Sequence, residues 1–336
     1  MSRTLAGLIG GYRSTQMLFA AAQLGIADRL ADGPLQSRAL AGMVGADEAA
    51  LRRLLRGLVN VGVLTEDAGG RFGLTPVGAA LRTDVPGSQH AWAIWEGGMS
   101  YQAWGALLYS VQTGRAAFDH VFGRPFFAHF AAHPEAGDGF NRAMAGYSAA
   151  IATAVAQGYD FSPFRTVVDV GGGHGTLLAA VLRAYPHLTG VHSDLPSVAA
   201  GAEPWLAAAG VAGRCRIVSG DFFAAVPGGG DVYLLGHIVH DWDDAQAVRI
   251  LRNCRTAMAG HGRLLIVEKH MPEPMTEGAV PPGTDVNMLV LTGGRERTDA
   301  EYRALLAAAG WRLERVMPTR SMASILEASP AYGLVR

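Results

Sequence analysis

The sequence predicts an α/β protein: a largely parallel sheet in the C-terminal half, preceded by an N-terminal, mostly helical region ending in a β-hairpin. Three observations lead there. From Phe164 onward, short apolar runs alternate with helical stretches to the C-terminus, the pattern of repeated strand–helix–strand units. Inside that half, Val167-Val168-Asp169-Val170-Gly171-Gly172-Gly173-His174-Gly175-Thr176-Leu177 reads as a strand, a glycine-rich loop and the start of a helix. Residues 1–100 instead show amphipathic helical spacing followed by two strand-like runs around a turn. The expected division is therefore 1–100, a helical linker at 101–160, and the sheet at 161–336.

In chain order, Gln16 to Leu30 is an Ala/Leu-rich helix that should end before Ala31-Asp32-Gly33-Pro34. Leu35 to Val44 reads as a second helix. Asp47 is placed to cap a third, with Leu51, Leu54, Leu55, Leu58 and Val61 on one face and Gly62 as its stop. Val63-Leu64-Thr65 and Arg71-Phe72-Gly73-Leu74-Thr75 flank a Gly-Gly turn and predict a hairpin. Helix, helix, hairpin is a winged-helix-like order. It raises a rival from another class, a DNA-binding regulator presenting Arg52, Arg53 and Arg56. Residues 1–90 carry nine Arg against seven acids, however, a net of only +2. A scaffold or dimerisation role is the reading preferred.

From Trp92 to about Gly158 the chain reads as helical and rich in aromatic and small residues. Core packing accounts for most of these rings; Trp92 and Phe130 are candidates for lining a pocket. The proline-rich stretch Met271 to Gly283 is expected to be a mobile loop.

Composition narrows the function classes. The 336 residues are 49% hydrophobic with a net charge of −1, leaving no broad electrostatic footprint for nucleic acid or an anionic membrane. Cys215 and Cys254 belong to no ligand or disulfide pattern, and no apolar run is long enough to span a bilayer. A cytoplasmic protein is expected.

The glycine loop is the most specific signal. Glycines permit sharp turns and let a ligand approach main-chain N–H groups with no Cβ in the way. In open α/β sheets such loops lie at the carboxyl ends of strands, where nucleotide-like ligands bind. The spacing here is D-x-G-x-G-x-G, with Asp169 in front and no phosphate-binding Lys or Arg, unlike the dinucleotide fingerprint. An acid beside the loop suits a ligand cation and would repel a pyrophosphate. The loop resembles motif I of class I S-adenosylmethionine-dependent methyltransferases. That resemblance implies a Rossmann-like sheet and a ligand with a nucleoside, an amino-acid tail and a sulfonium. It implies that Asp169, Gly171, Gly173 and Gly175 contact the ligand.

Downstream acids fall where a nucleoside needs them. Asp194, followed by Leu195, ends a second strand and is placed to accept from ribose hydroxyls. Asp221 ends a third and would accept from the adenine amino group, with Phe222 stacking on the ring. Each acid alone also reads as a solvated strand end or a helix N-cap.

A second constellation begins at Asp231-Val-Tyr-Leu-Leu-Gly-His-Ile-Val-His240-Asp241-Trp242-Asp243-Asp244, a strand running into a polar helix start. Methyl transfer to a phenol needs a base, and a histidine is the usual side chain for the task. His240 is the candidate. His237 has the plainer reading of a structural histidine. Glu268 ends the next apolar strand, and Glu296 lies in the loop Gly293-Gly294-Arg295-Glu296-Arg297-Thr298. An acid on one ring nitrogen would hold the tautomer and stabilise the protonated imidazole. The residues alone do not show that the three meet.

Together the HDWDD, VE and GGRERT segments resemble the plant-type (caffeic-acid-like) small-molecule O-methyltransferases and their bacterial natural-product relatives. The resemblance spans the chain, including an N-terminal region that the family uses to form homodimers. It implies His240 as the catalytic base, flanked and oriented by Glu268 and Glu296. No metal is expected, because the acids form no convincing ligand cluster and a basic histidine does the deprotonation. The resemblance implies cofactor contacts from Ser148, Asp194, Asp221 and Phe222, with Leu195, His237 and Trp242 beside them. Met144 and Met288 match acceptor-pocket positions. There are departures: Gly236 stands where plant members carry Lys, the loop after Met288 is shorter, and Asn287 replaces an apolar residue. Asn287 would give the acceptor a hydrogen-bond partner or serve as a capped loop amide. The expected reaction is methylation of a phenolic hydroxyl on a small aromatic substrate. Transfer to nitrogen or carbon, or other chemistry on the same cofactor, stays open, as fold alone does not fix activity.

Overall fold

A computed structural model describes residues 4–331 except 259, 278–279 and 282. The chain forms two compact units: residues 1–102 with 138–147, and residues 103–137 with 148–336. Part of the proline-rich segment expected to be mobile, 278–279 and 282, lies outside the described residues.

In the first unit the third helix forms as its spacing predicts, at Glu48–Asn60. The Asp47 carboxylate accepts from Ala50 N at 2.8 Å, a cap worth about 1 kcal/mol. Leu51, Leu55 and Leu58 are buried and pack with Leu40 and Phe72 in one core cluster. Two expectations are corrected. The helix drawn from Gln16 to Leu30 is instead Tyr12–Gln23 followed by Ile26–Arg29, because Gly25 adopts a left-handed φ of 64° that no continuous helix tolerates. The helix drawn from Leu35 begins at Ser37, because Leu35–Gln36 forms a short strand antiparallel to Arg71–Phe72. That strand joins the hairpin Leu64–Glu66 and Arg71–Leu74 in a three-stranded sheet. Arg52 and Arg56 each lie 3.7 Å from the Glu66 carboxylate on this hairpin. Trp92 stacks on Tyr147, with ring centroids 4.9 Å apart.

The second unit holds a seven-stranded sheet. Its strands in chain order are β1 Thr166–Val170, β2 Thr189–Asp194, β3 Cys215–Ser219, β4 Val232–Gly236, β5 Arg263–Glu268, β6 Trp311–Pro318 and β7 Ser324–Pro330. Across the sheet the order is β6-β7-β5-β4-β1-β2-β3. The first five run parallel. β6 and β7 are antiparallel, since only the short turn 319–323 joins them and a parallel return needs a crossover. The sheet is therefore mixed. Main crossovers are α1 Thr176–Ala184, α2 Pro196–Ala208, α3 Asp244–Ala257, α4 Thr284–Leu291 and α5 Asp299–Ala308. Strand centres such as Val168, Leu234, Leu235, Leu265 and Ile266 are fully buried, as expected of a sheet covered on both faces. All five parallel strands consequently deliver their carboxyl ends to one rim.

Candidate active site

At that rim β1 runs into the glycine loop. Gly171, Gly173 and Gly175 have φ of 70°, 58° and 80°, a region open at little strain only to glycine. A Cβ on Gly173 would meet nothing within 4 Å, so the loop presents its backbone to open space there. A Cβ on Gly171 would meet Ile238 at 2.5 Å and the Phe222 ring at 3.3 Å, which places Phe222 against the loop.

Asp169 lies under the loop, 1% exposed, and its Oδ2 has no hydrogen-bond partner among the described residues. Burial raises its pKa to about 6, against the opposing pull of His192. A buried carboxylate oxygen without a donor is costly unless a ligand supplies one. The orphaned acid, the open glycine backbone and the adjacent aromatic ring fit S-adenosylmethionine. Asp194 braces the loop as well: Oδ2 accepts from Gly173 N at 2.8 Å and Oδ1 from Leu195 N at 2.7 Å. Each oxygen keeps a second lone pair for a hydroxyl donor. Asp221 is exposed, with Oδ1 accepting from Phe223 N at 2.8 Å.

β4 ends at Gly236, and the chain passes through His237, whose φ of 57° is left-handed in a residue other than glycine. The single 3₁₀ turn Val239–Asp241 follows and carries His240. The His240 ring is nearly buried, and Nδ1 lies 3.2 Å from Glu296 Oε1, whose carboxylate is 1% exposed. Asp241 Oδ1 is 3.8 Å from the other ring nitrogen. Burial alone would depress the ring's pKa, but charges on Glu268, Glu296 and Asp241 outweigh it and push the value up to about 10. Burial raises Asp241 to about 7. His237, with its ring centroid 5.4 Å from that of His240, is driven down to about 3 by burial and then by the His240 and Lys269 charges. Burial and the neighbouring charges thus push the two rings' pKa values in opposite directions.

Glu268 contacts the main chain of the turn that carries His240. Its Oε1 accepts the backbone N–H groups of Ile238, Val239 and His240 at 3.1, 2.6 and 3.1 Å, while its Oε2 accepts the Tyr302 hydroxyl. It braces the turn through the backbone instead of hydrogen-bonding to the imidazole ring. His240, Glu268 and Glu296 still offer ligand atoms within 4.8 Å of one another. Glu268 Oε1 already accepts three backbone N–H groups, while Glu296 Oε2 is buried with no hydrogen-bond partner among the described residues.

Other expected residues spread further. Trp92 and Met144 belong to the first unit; Phe130, Ser148, Asn287 and Met288 belong to the second. Asn287, on α4, accepts the Trp104 indole N–H on its Oδ1 at 2.9 Å. Trp242 stacks on Phe127 at 5.4 Å and meets Phe223 and Phe222 edge-on. Its buried Nε1 has no partner among the described residues.

Sequence reasoning passed over Asp241, Arg297, Tyr302 and Asp285. Asp285 accepts from Glu296 N at 2.9 Å and so fixes the loop that presents the acid. One signal was present for Tyr302: with Leu305 and Leu306 it occupies the apolar stripe of α5, where a buried hydroxyl needs a partner.

A family model for an O-methyltransferase domain matches residues 104–312, and one for an O-methyltransferase dimerisation domain matches residues 6–84, which supports a homodimer. The chain is 49% identical to phenazine O-methyltransferase PhzM of Lysobacter antibioticus, over 98% of this chain and 96% of that protein. It is 37% identical to 8-amino-8-demethylriboflavin N,N-dimethyltransferase of Streptomyces davaonensis, over 94% and 92%. The crystal structure of the O-methyltransferase NcsB1 from neocarzinostatin biosynthesis, with S-adenosylmethionine and 2-hydroxy-5-methyl naphthoic acid, superposes with a TM-score of 0.81 at 35% identity, covering 94% of this chain and 96% of that one. No helix among the described residues is long and apolar enough to cross a membrane. The chain therefore belongs to the O-methyltransferase family and is an S-adenosylmethionine-dependent methyltransferase.

Proposed function

We propose that this enzyme methylates a phenolic hydroxyl of a small aromatic natural-product intermediate, with His240 as general base. The observation that carries the reading is the buried contact between His240 Nδ1 and Glu296 Oε1 at 3.2 Å. A carboxylate on Nδ1 leaves Nε2 as the nitrogen that exchanges a proton with the acceptor, and it stabilises the imidazolium that results. The elevated pKa of the ring, about 10, matches that of a phenol, so moving the proton between them costs little. Bound S-adenosylmethionine supplies an electrophilic methyl group on a sulfonium. Asp169, Gly171, Gly173, Gly175, Asp194, Leu195, Asp221, Phe222, Ser148, His237 and Trp242 would hold it. Phe130, Asn287 and Met288 would face the acceptor.

By region, residues 1–100 would serve dimerisation, 101–160 would contribute to acceptor binding and 161–336 would bind the cofactor. The two cysteines are unbridged, which suits a cytoplasmic setting. Low net charge argues against a nucleic-acid partner.

The N,N-dimethyltransferase among the relatives supports a second reading, transfer to an arylamine nitrogen on the same scaffold. Incubation with labelled S-adenosylmethionine and matched panels of phenols and arylamines separates them. Label in phenol ethers is expected; label confined to amines would replace the first reading with the second.

A further inference from the structure

We propose that Arg297 is a positioning residue that holds the turn bearing His240 in its working geometry; the inference rests on His240 being the base. The Arg297 side chain is fully buried. Nη1 donates to Val239 O at 3.0 Å and Nη2 to Trp242 O at 2.8 Å, so the guanidinium grips the main chain on both sides of His240. Nε and Nη2 also reach Asp244 Oδ1, at 3.1 and 2.8 Å.

The clamp answers a local weakness. A 3₁₀ segment of three residues makes few hydrogen bonds of its own, so its geometry must be imposed from outside. Glu268 takes its N–H groups on one side. On the other, Arg295 N donates to His240 O at 2.8 Å, and Arg297 takes the two flanking carbonyls. A planar guanidinium with five donors can join two carbonyls and a carboxylate at once; an ammonium cannot hold that fork. A buried guanidinium needs a counter-charge, and Asp244, with its side chain 58% exposed, supplies it from the surface. Losing the clamp frees the turn to rotate and the imidazole to leave Glu296.

The test uses the full-length enzyme and the variants Arg297→Met, Arg297→Lys, Asp244→Asn, His240→Ala and the double variant Arg297→Met/His240→Ala. Folding is checked by circular dichroism and thermal melts. Arg297→Met should lower kcat about 10- to 100-fold, as expected for a catalytic group displaced by about an ångström. Arg297→Lys should recover part of the loss, and S-adenosylmethionine Kd should stay within about 3-fold, a kcat-specific pattern expected of mispositioned chemistry. In the His240→Ala background, Arg297→Met should add little, because both act through one group. If Arg297→Met does not fold, Asp244→Asn decides from the surface, with kcat expected to fall about 3- to 10-fold. Full kcat in folded Asp244→Asn and Arg297→Lys overturns the proposal. So does a loss in the double variant that multiplies the loss of His240→Ala. In both cases His240 stays the base; wild-type turnover in His240→Ala alone would remove that reading together with this one.

Discussion

His240 Nδ1 and Glu296 Oε1 lie 3.2 Å apart in a site where both side chains are buried, and that contact dictates how activity should depend on pH. The ring's pKa is raised to about 10 because nearby carboxylates outweigh burial. In free enzyme the imidazole is therefore protonated at neutral pH and must lose that proton before it can accept one. With a phenol as acceptor, kcat/KM should rise with pH through neutrality toward about 9–10. Glu296→Gln removes a negative charge that favours the protonated ring, so the His240 pKa falls and the rising limb shifts to lower pH. Its kcat should also drop, by roughly 10- to 100-fold, as orientation is lost. Paired pH–rate profiles check this; a limb unmoved in Glu296→Gln, or moved upward, removes the coupling.

A second prediction concerns close approach at Gly294. A Cβ on that residue would lie 2.0 Å from His240 O and 2.5 Å from Asp241 C, both backbone atoms that cannot swing aside as a side chain can. The loop carrying Glu296 reaches the turn only because position 294 has no side chain. Gly294→Ala should push loop and turn apart and lower kcat at least about 10-fold. Cofactor affinity, measured by calorimetry, should change far less. Unaltered kcat in the folded variant would mean that the spacing of loop and turn does not control the chemistry.

The glycine loop makes a third. Asp169 is 1% exposed, with Oδ2 lacking a donor among the described residues and its pKa raised to about 6 by burial. The upward shift sets the sign: the charged carboxylate is lost as pH falls through about 6, near neutral conditions, not near 4. Affinity for S-adenosylmethionine should weaken over that window in the wild type. In Asp169→Asn it should start about 10-fold weaker, as for a lost charged hydrogen bond, and lose this pH dependence. Titration calorimetry at several pH values decides; equal pH dependence in both proteins would clear Asp169 of the role.

Much of this architecture was legible because the signals were local. Strand, glycine loop and helix follow one another at 167–177, and Asp47 caps its helix through an amide three residues on. The strand ends likewise bring His240 and Glu268 to one rim, as alternation in a parallel sheet requires. What the sequence concealed depends on partners far along the chain. Leu35–Gln36 has helix-compatible neighbours and becomes a strand only because Arg71–Phe72 offers an edge. Glu268 has the residue type and place of a ring partner, yet three converging amides claim its Oε1. Arg297 looks like one more surface arginine in an Arg-rich chain; its burial follows from how the loop and the turn meet. No periodicity encodes that.

Asn287 carries the last prediction, on acceptor choice. An indole N–H can only donate, so the Trp104 contact at 2.9 Å fixes the Asn287 oxygen toward Trp104 and leaves the amide NH₂ as the group to offer. The Trp104 ring is itself confined, since a Cβ on Gly283 would lie 3.0 Å from it. An acceptor bound there would need a carbonyl, carboxylate or ring nitrogen to receive the amide N–H. Trp104→Phe keeps an aromatic ring, though a smaller one, and deletes the donor, which frees the amide to turn either face outward. Discrimination between acceptors with and without such a group, read as the ratio of their kcat/KM values, should then fall about 5- to 20-fold, the worth of roughly one hydrogen bond. Asn287→Asp, which cannot donate when ionised, should penalise carboxylate-bearing acceptors most. A ratio unchanged in both variants would place acceptor recognition elsewhere in the site.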